Sequence, residues 1–132
     1  MRKILDPNIN PGRGEIWEVA LDPIIGMEIN AHGGTRPCLV LTSDPFRRIR
    51  LRAIVPISEW QEFFGRQAWA IPLEPDAGNG LDKMSAALAN QVRTASLDRF
   101  YTDNAEAFFR GRVTADQLEA VTLAVGIVIG HP

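Results

Sequence analysis

Cysteine and histidine are scarce in this sequence, which has one cysteine and two histidines among 132 residues. The single cysteine, Cys38, excludes an intramolecular disulfide framework and is typical of a protein kept in a reducing compartment. No His, Cys and Asp residues are grouped at metal-ligand spacing, and no Gly-x-x-x-x-Gly-Lys phosphate-binding loop occurs. We therefore expect neither a metal centre nor a cofactor.

Long apolar runs are also missing. The most apolar segment, residues 120–129, is much shorter than the roughly 20 residues that cross a bilayer. The chain does not open on the basic, apolar and small-residue pattern of a signal peptide. These absences predict a cytoplasmic protein that is not bound to a membrane.

Positive charge is not in excess, since the formal net charge is −2. This balance excludes a protein whose whole surface is basic, as in proteins that wrap duplex nucleic acid. Four arginines are nevertheless concentrated at Arg47, Arg48, Arg50 and Arg52. They form either a solvated hairpin face or a local patch that binds phosphate groups, and the sequence favours neither.

The length predicts one domain over residues 1–132, with an irregular leader at residues 1–12. Apolar or alternating segments predict strands at residues 15–21, 38–41, 51–57, 67–71 and 86–94. Residues 15–21 alternate as a half-buried strand does. Pro56 should push its strand toward an edge of the sheet or toward the strand's end.

One helix is predicted late in the chain. Thr114 and Gln117 have capping-box spacing and mark its start. Its apolar face is expected at Leu118, Val121, Thr122, Val125 and Ile129. Strands followed by a single helix predict a mostly β or α+β fold, a small barrel or rolled antiparallel sheet with a C-terminal helix.

The stretch around Arg36 has the character of a binding site. Gly33 and Gly34 free the backbone before it, and Pro37 and a short apolar strand follow it. Because Pro37 fixes its own φ and restricts Arg36 to extended conformations, the guanidinium extends from a stiff base. Such a cation suits a site that holds a phosphate.

Six short motifs share an order and rough spacing with a known family. They are Gly14-Glu15-Ile16-Trp17, Leu21-Asp22-Pro23, Gly26-x-Glu28, Gly34-Thr35-Arg36-Pro37, Val55-Pro56-Ile57-Ser58 and Gln91-Val92-Arg93-Thr94. In this respect the chain resembles the MazF/PemK family of toxin endoribonucleases, from about Arg13 to the C-terminal helix. Several of the motifs lie in predicted loops, where packing alone would not require them.

The resemblance implies an SH3-like small barrel of the CcdB/MazF type, a symmetric homodimer and cleavage of single-stranded RNA at short sequence motifs. It also implies a cognate antitoxin that occupies the RNA groove. Cleavage in the family needs no metal: the ribose 2′-hydroxyl attacks its own phosphate and leaves 2′,3′-cyclic phosphate and 5′-hydroxyl ends.

The resemblance also assigns catalytic roles. Arg36 matches the catalytic arginine of the family, and Ser58 lies where many members have threonine. Glu28 matches a family glutamate that would accept the 2′-hydroxyl proton or orient Arg36. His32 has a pKa in the useful range but lies in a loop longer than the common form. A guanidinium is suited to the charge of a phosphorane-like transition state, because it can donate to two oxygens at once.

A second set of residues is predicted to bind RNA. Its members are Arg47, Arg48, Arg50, Trp60, Gln91, Arg93 and Thr94. Met27, Leu88 and Asn90 occupy positions where PemK-type members have a histidine, an arginine and an aspartate, and none of the three can transfer protons in the same way. This departure favours a mechanism that depends on Arg36 and Ser58.

Two other functions are compatible with the predicted fold. The same barrel occurs in gyrase-poisoning toxins of the CcdB type, which bind a protein and cleave nothing. A non-catalytic SH3-like regulatory module is the third hypothesis, and Asn90 makes it plausible. The Arg36-Pro37 pair, together with a hydroxyl after the third strand, favours the nuclease, although fold alone does not separate the three.

Overall fold

The computed structural model describes residues 8–29, 34–100 and 109–131. Within these ranges it contains seven strands and one α-helix. The strands are β1 (Glu15–Val19), β2 (Arg36–Val40), β3 (Leu51–Glu59), β4 (Ala70–Leu73), β5 (Ser85–Leu88), β6 (Arg93–Ser96) and β7 (Phe109–Arg112). The helix, α1, is Ala115–Val128.

The strands form one curled antiparallel sheet. Their order is β4-β5-β3-β2-β1-β7, and β6 pairs with β3 beside this path. The prediction of a rolled antiparallel sheet with a C-terminal helix is therefore confirmed. The order places β1 between β2 and β7, so residues of these three strands lie side by side.

The central strand is β3, although it contains Pro56. Its residues 51–54 pair with β6, and its residues 57–59 pair with β5. Pro56 lies in the interval between these two pairings and opposite Cys38 of β2. The expectation that proline would push this strand toward an edge or its end was wrong, because β3 continues to Glu59 and changes partners where the N–H is missing.

The prediction of one continuous strand over residues 86–94 was also wrong. The chain forms β5, one short 3₁₀ turn at Ala89–Gln91, and then β6. The turn lets β5 and β6 pair with different parts of β3, so the sheet curls. The strand β7 was not predicted, because its sequence Phe-Arg-Gly-Arg lacks apolar alternation.

Two apolar clusters pack on opposite faces of the sheet. Trp17 and Val19 of β1 contribute to the first cluster, and Ile16 of the same strand contributes to the second. β1 is therefore buried on both faces rather than half-buried as expected. The helix packs over the second cluster through Val121, which is fully buried.

The predicted capping box at the start of α1 is confirmed. Thr114 Oγ1 accepts from the Gln117 N–H at 3.1 Å, and Gln117 Oε1 accepts from the Thr114 N–H at 2.8 Å. The apolar face is shorter than predicted, because Ile129 is 70% exposed and lies past the last helical residue. In the described parts of the chain, no helix combines the length and apolarity that a membrane span requires.

Candidate active site

A pocket of about 170 Å³ opens where β2, β3 and β7 approach the segment before β5. Its lining contains three cationic side chains, two carboxylates and two hydroxyl groups. The lining residues are Arg36, Pro37, Ile57, Ser58, Glu59, Leu81, Asp82, Lys83, Ser85 and Arg110. The pocket thus joins Arg36 and Ser58, the two residues on which the sequence-based mechanism depends.

Arg36 reaches the pocket from the first residue of β2. The register pairs Cys38 with Pro56, and continued by two residues it brings Arg36 opposite Ser58. Arg36 Nη1 donates a hydrogen bond of 3.2 Å to the carbonyl oxygen of Ile57, the residue before Ser58. The backbone of β3 therefore helps to hold the guanidinium beside the Ser58 hydroxyl.

Burial changes the electrostatics of Arg36. Desolvation lowers the pKa of its guanidinium, and the negative charge of Glu18 acts in the opposite direction. Arginine keeps its proton near neutral pH even so. A desolvated cation interacts more strongly with an anion than one in bulk water does.

Ser58 is half-buried on β3 and faces Ala86 of β5 in the register. Its Oγ donates to the carbonyl oxygen of Glu59 at 3.2 Å. A serine hydroxyl can rotate toward a new acceptor without a change of backbone. The hydroxyl is therefore able to donate to a phosphate in the pocket.

Glu28 is not among the residues that line this pocket. Its Oε1 accepts from the backbone N–H of Ile25 at 2.7 Å, and its side chain is exposed. The side chain of Gln91 holds the same loop, because Oε1 accepts from Ile29 N at 3.2 Å and Nε2 donates to Met27 O at 3.3 Å. The catalytic role of Glu28 stays a prediction, and His32 lies outside the described residues.

The other residues predicted to bind RNA lie in different surroundings. Trp60 is half-buried, with its ring 5.7 Å from that of Phe64. Burial raises the pKa of the Cys38 thiol, and the nearby charge of Arg93 opposes that shift only weakly. The buried Nη1 of Arg93 has no hydrogen-bond partner in the described chain. Thr94 is exposed on β6. Their RNA-binding roles, like that of Gln91, stay predictions.

The arginine cluster lies at the opposite end of β3 from the pocket. At about 3.3 Å per residue, the six residue steps from Arg52 to Ser58 span about 20 Å. Arg47 lies 3.3 Å from Asp44, and Arg50 lies 3.5 Å from Asp98. Arg48 is exposed. RNA binding by Arg47, Arg48 and Arg50 stays a prediction, and within one protomer it would require a bound strand that extends well beyond the pocket.

Sequence reasoning missed several charged residues around the pocket. The missed residues are Glu18, Glu59, Asp82, Lys83 and Arg110. They come from four distant parts of the sequence, and no motif connects them. The one local signal was Glu18, a charged residue between the buried Trp17 and Val19 of β1. Among the described residues, no group of three or more His, Cys, Asp and Glu side chains could hold a metal ion.

The family model described as "PemK-like, MazF-like toxin of type II toxin-antitoxin system" matches residues 12–129. Endoribonuclease PemK of Escherichia coli is 33% identical over 97 residues, which cover 73% of this chain and 68% of that protein. Endoribonuclease toxin ChpB of Escherichia coli strain K12 is 33% identical over 85 residues, which cover 64% of this chain and 69% of that protein.

Solved structures agree with the fold. MazF of Deinococcus radiodurans superposes with a TM-score of 0.69 at 21% identity, covering 93% of this chain and 99% of that one. An endoribonuclease from Mycobacterial species, solved with its cognate antitoxin, gives 0.67 at 17% identity, covering 92% and 97%. The small MazF-type barrel expected from the sequence is thus confirmed, and the chain belongs to the PemK-like, MazF-like toxin family of type II toxin–antitoxin systems.

Proposed function

We propose that this protein is a sequence-selective endoribonuclease toxin that cleaves single-stranded RNA without a metal ion. The observation that carries the proposal is the shared pocket of Arg36 and Ser58, in which Arg36 donates to the carbonyl oxygen of Ile57. Both relatives are named as endoribonucleases, which supports the same activity for this chain. We assign the activity to one toxin domain over residues 1–132.

In this mechanism the ribose 2′-hydroxyl attacks the adjacent phosphorus, and the bond to the 5′-oxygen breaks. Arg36 would donate to the non-bridging oxygens as negative charge accumulates there, and could protonate the leaving oxygen. Ser58 would donate to the same phosphate and hold it in line for attack. Glu28, matched by sequence, would accept the 2′-hydroxyl proton or orient Arg36.

The proposed partners follow from the family. We propose a homodimer in the cytoplasm whose activity is blocked by a cognate antitoxin. A mycobacterial structure of the same fold was solved with its antitoxin, which supports such a partner. Arg47, Arg48, Arg50, Trp60, Gln91, Arg93 and Thr94 are retained as proposed RNA contacts.

The purified protein should cleave a long single-stranded RNA in the presence of EDTA. Mapping of the fragments should give 2′,3′-cyclic phosphate and 5′-hydroxyl ends at a short recurrent motif. DNA of the same sequence should stay intact, because it lacks the 2′-hydroxyl nucleophile. Cleavage that requires added magnesium would reject the metal-free mechanism. Absence of cleavage in all conditions would favour the gyrase-binding or regulatory hypothesis.

Replacement of Ser58 by alanine should lower the single-turnover cleavage rate about tenfold to a hundredfold, because one hydrogen bond to the reacting phosphate is lost. Ser58→Thr should retain most of the activity, since it keeps the hydroxyl. The matched control is Ser43→Ala, at an exposed serine outside the pocket whose hydroxyl makes no capping bond. Equal rates for Ser58→Ala and Ser43→Ala would remove Ser58 from the mechanism.

A further inference from the structure

We propose that Arg110 is a second phosphate-binding arginine of this pocket, held in place by Glu18. The inference deepens the proposed function and rests on it. Arg110 comes from β7, more than 70 residues after Arg36, yet both side chains line one pocket. A site with two guanidinium groups would contact both the reacting phosphate and its neighbour along an RNA strand.

The strand order explains how the two arginines are brought together. β1 lies between β2, which carries Arg36, and β7, which carries Arg110. Glu18 of β1 pairs with Pro37, next to Arg36 in the sequence, and its Oε2 lies 3.4 Å from Arg110 Nη1. The middle strand thus supplies the carboxylate that pairs with Arg110, next to the strand that carries Arg36.

Glu18 is suited to this positioning role because it is itself fixed. Its side chain is only 12% exposed, and its Oε1 accepts from Thr35 Oγ1 at 2.7 Å. Its negative charge also acts on Arg36, where it raises the pKa that burial lowers. A nearly buried carboxylate that pairs with Arg110 limits the conformations of that guanidinium.

The backbone that carries Arg110 is also held tightly. A Cβ on Gly80 would overlap the carbonyl oxygen of Arg110, and a Cβ on Gly111 would overlap that of Gly78. Both glycines have positive φ, so the close approach of β7 to the turn that contains Gly78 and Gly80 requires them. Within the turn, fully buried Asn79 accepts from two backbone N–H groups and donates to a third residue. The turn is therefore a rigid support.

The remaining contacts leave Arg110 able to bind an anion. Nη2 donates to Gly80 O at 2.6 Å, and it lies 3.6 Å from the carboxylate of Asp82. Asp82 is 86% exposed, so this ion pair is weak and is easily replaced by a phosphate. The side chain of Arg110 is 27% exposed and lines the pocket.

The test measures binding of a cleavage-resistant RNA. The ligand is a short single-stranded RNA that contains one mapped cleavage site, with 2′-deoxyribose at the scissile residue. For single strands, the slope of log K against log salt becomes shallower by about 0.7 for each phosphate that the protein no longer neutralises. We expect Arg110→Gln to bind about tenfold more weakly and to show a slope reduced by about 0.7.

The matched control is Arg112→Gln, two residues along the same strand. Arg112 is 65% exposed, pairs with Glu15 at 3.1 Å and does not line the pocket. Its removal should leave the slope unchanged. Glu18→Gln should retain the slope but lower kcat more than it changes KM, because Arg110 stays charged and loses its alignment.

A second measurement uses the wild-type protein and does not depend on the folding of a variant. Phenylglyoxal labelling, mapped by mass spectrometry, should show that the bound RNA analogue protects Arg110 but not Arg112. A slope for Arg110→Gln equal to that of wild type, or no protection of Arg110, would overturn the inference while the proposed function stands. Wild-type protein that neither cleaves RNA nor binds the analogue would overturn the proposed function itself.

Discussion

Replacement of Arg36 by alanine should reduce the cleavage rate about a thousandfold. The loss of one preorganised donor to a developing oxyanion lowers turnover by about 10² to 10³ in other enzymes, and a guanidinium provides two donors and a full charge. Burial of Arg36 strengthens the effect, because the transition state meets the charge in a poorly solvated site. The loss is measured by comparing single-turnover cleavage rates of Arg36→Ala and wild type on an RNA with a mapped cleavage site.

The substitution should leave folding intact, which separates its effect from general damage. Removing a desolvated cation relieves a burial cost, which offsets the missing hydrogen bond to Ile57 O. We expect the melting temperature to stay within a few degrees of wild type. Arg36→Lys should recover only part of the rate, because an ammonium group lacks the planar fork. The control is Arg66→Ala, an exposed arginine outside the pocket and outside the proposed RNA contacts. Wild-type rates for Arg36→Ala would exclude Arg36 from the chemistry.

Replacement of Arg52 by methionine should destabilise the protein by about 3 kcal/mol. Arg52 is 1% exposed, and its guanidinium donates to five oxygen atoms. These acceptors belong to Asn10, Pro11, Arg47, Ile49 and Leu51. Methionine keeps the apolar stem of the side chain and leaves the acceptors without their donor. Denaturant unfolding should show the loss, together with a fall in melting temperature of about 10 °C.

The control for this prediction is Arg50→Met, two residues earlier in the chain. Arg50 is 51% exposed, and its only ion pair among the described residues is the 3.5 Å contact with Asp98. Its replacement should change stability by less than about 0.5 kcal/mol. Arg52 donates to carbonyl and amide oxygens rather than to carboxylates, so its contribution should be nearly independent of salt concentration. Equal stability losses for the two variants would contradict the structural role of Arg52.

The arginine cluster shows what a sequence pattern does not resolve. The sequence did not distinguish the four arginines of this cluster from one another. In the structure, Arg52 is buried and surrounded by oxygen acceptors, whereas Arg48 is exposed. Arg52 is buried because Asn10 and Pro11 of the N-terminal segment lie against it and accept its hydrogen bonds. Those contacts join positions about 40 residues apart, and no local pattern encodes them.

The sequence by itself determined the local features of this protein. Short motifs were enough to predict the capping box of Thr114, the strand at Arg36 and the hydroxyl at Ser58. Each of these features depends on residues that are neighbours in the sequence. Only the tertiary structure decided the composition of the pocket. Glu18 and Arg110 meet because β1 pairs with both β2 and β7 in a curled sheet, and such pairing depends on the packing of distant strands.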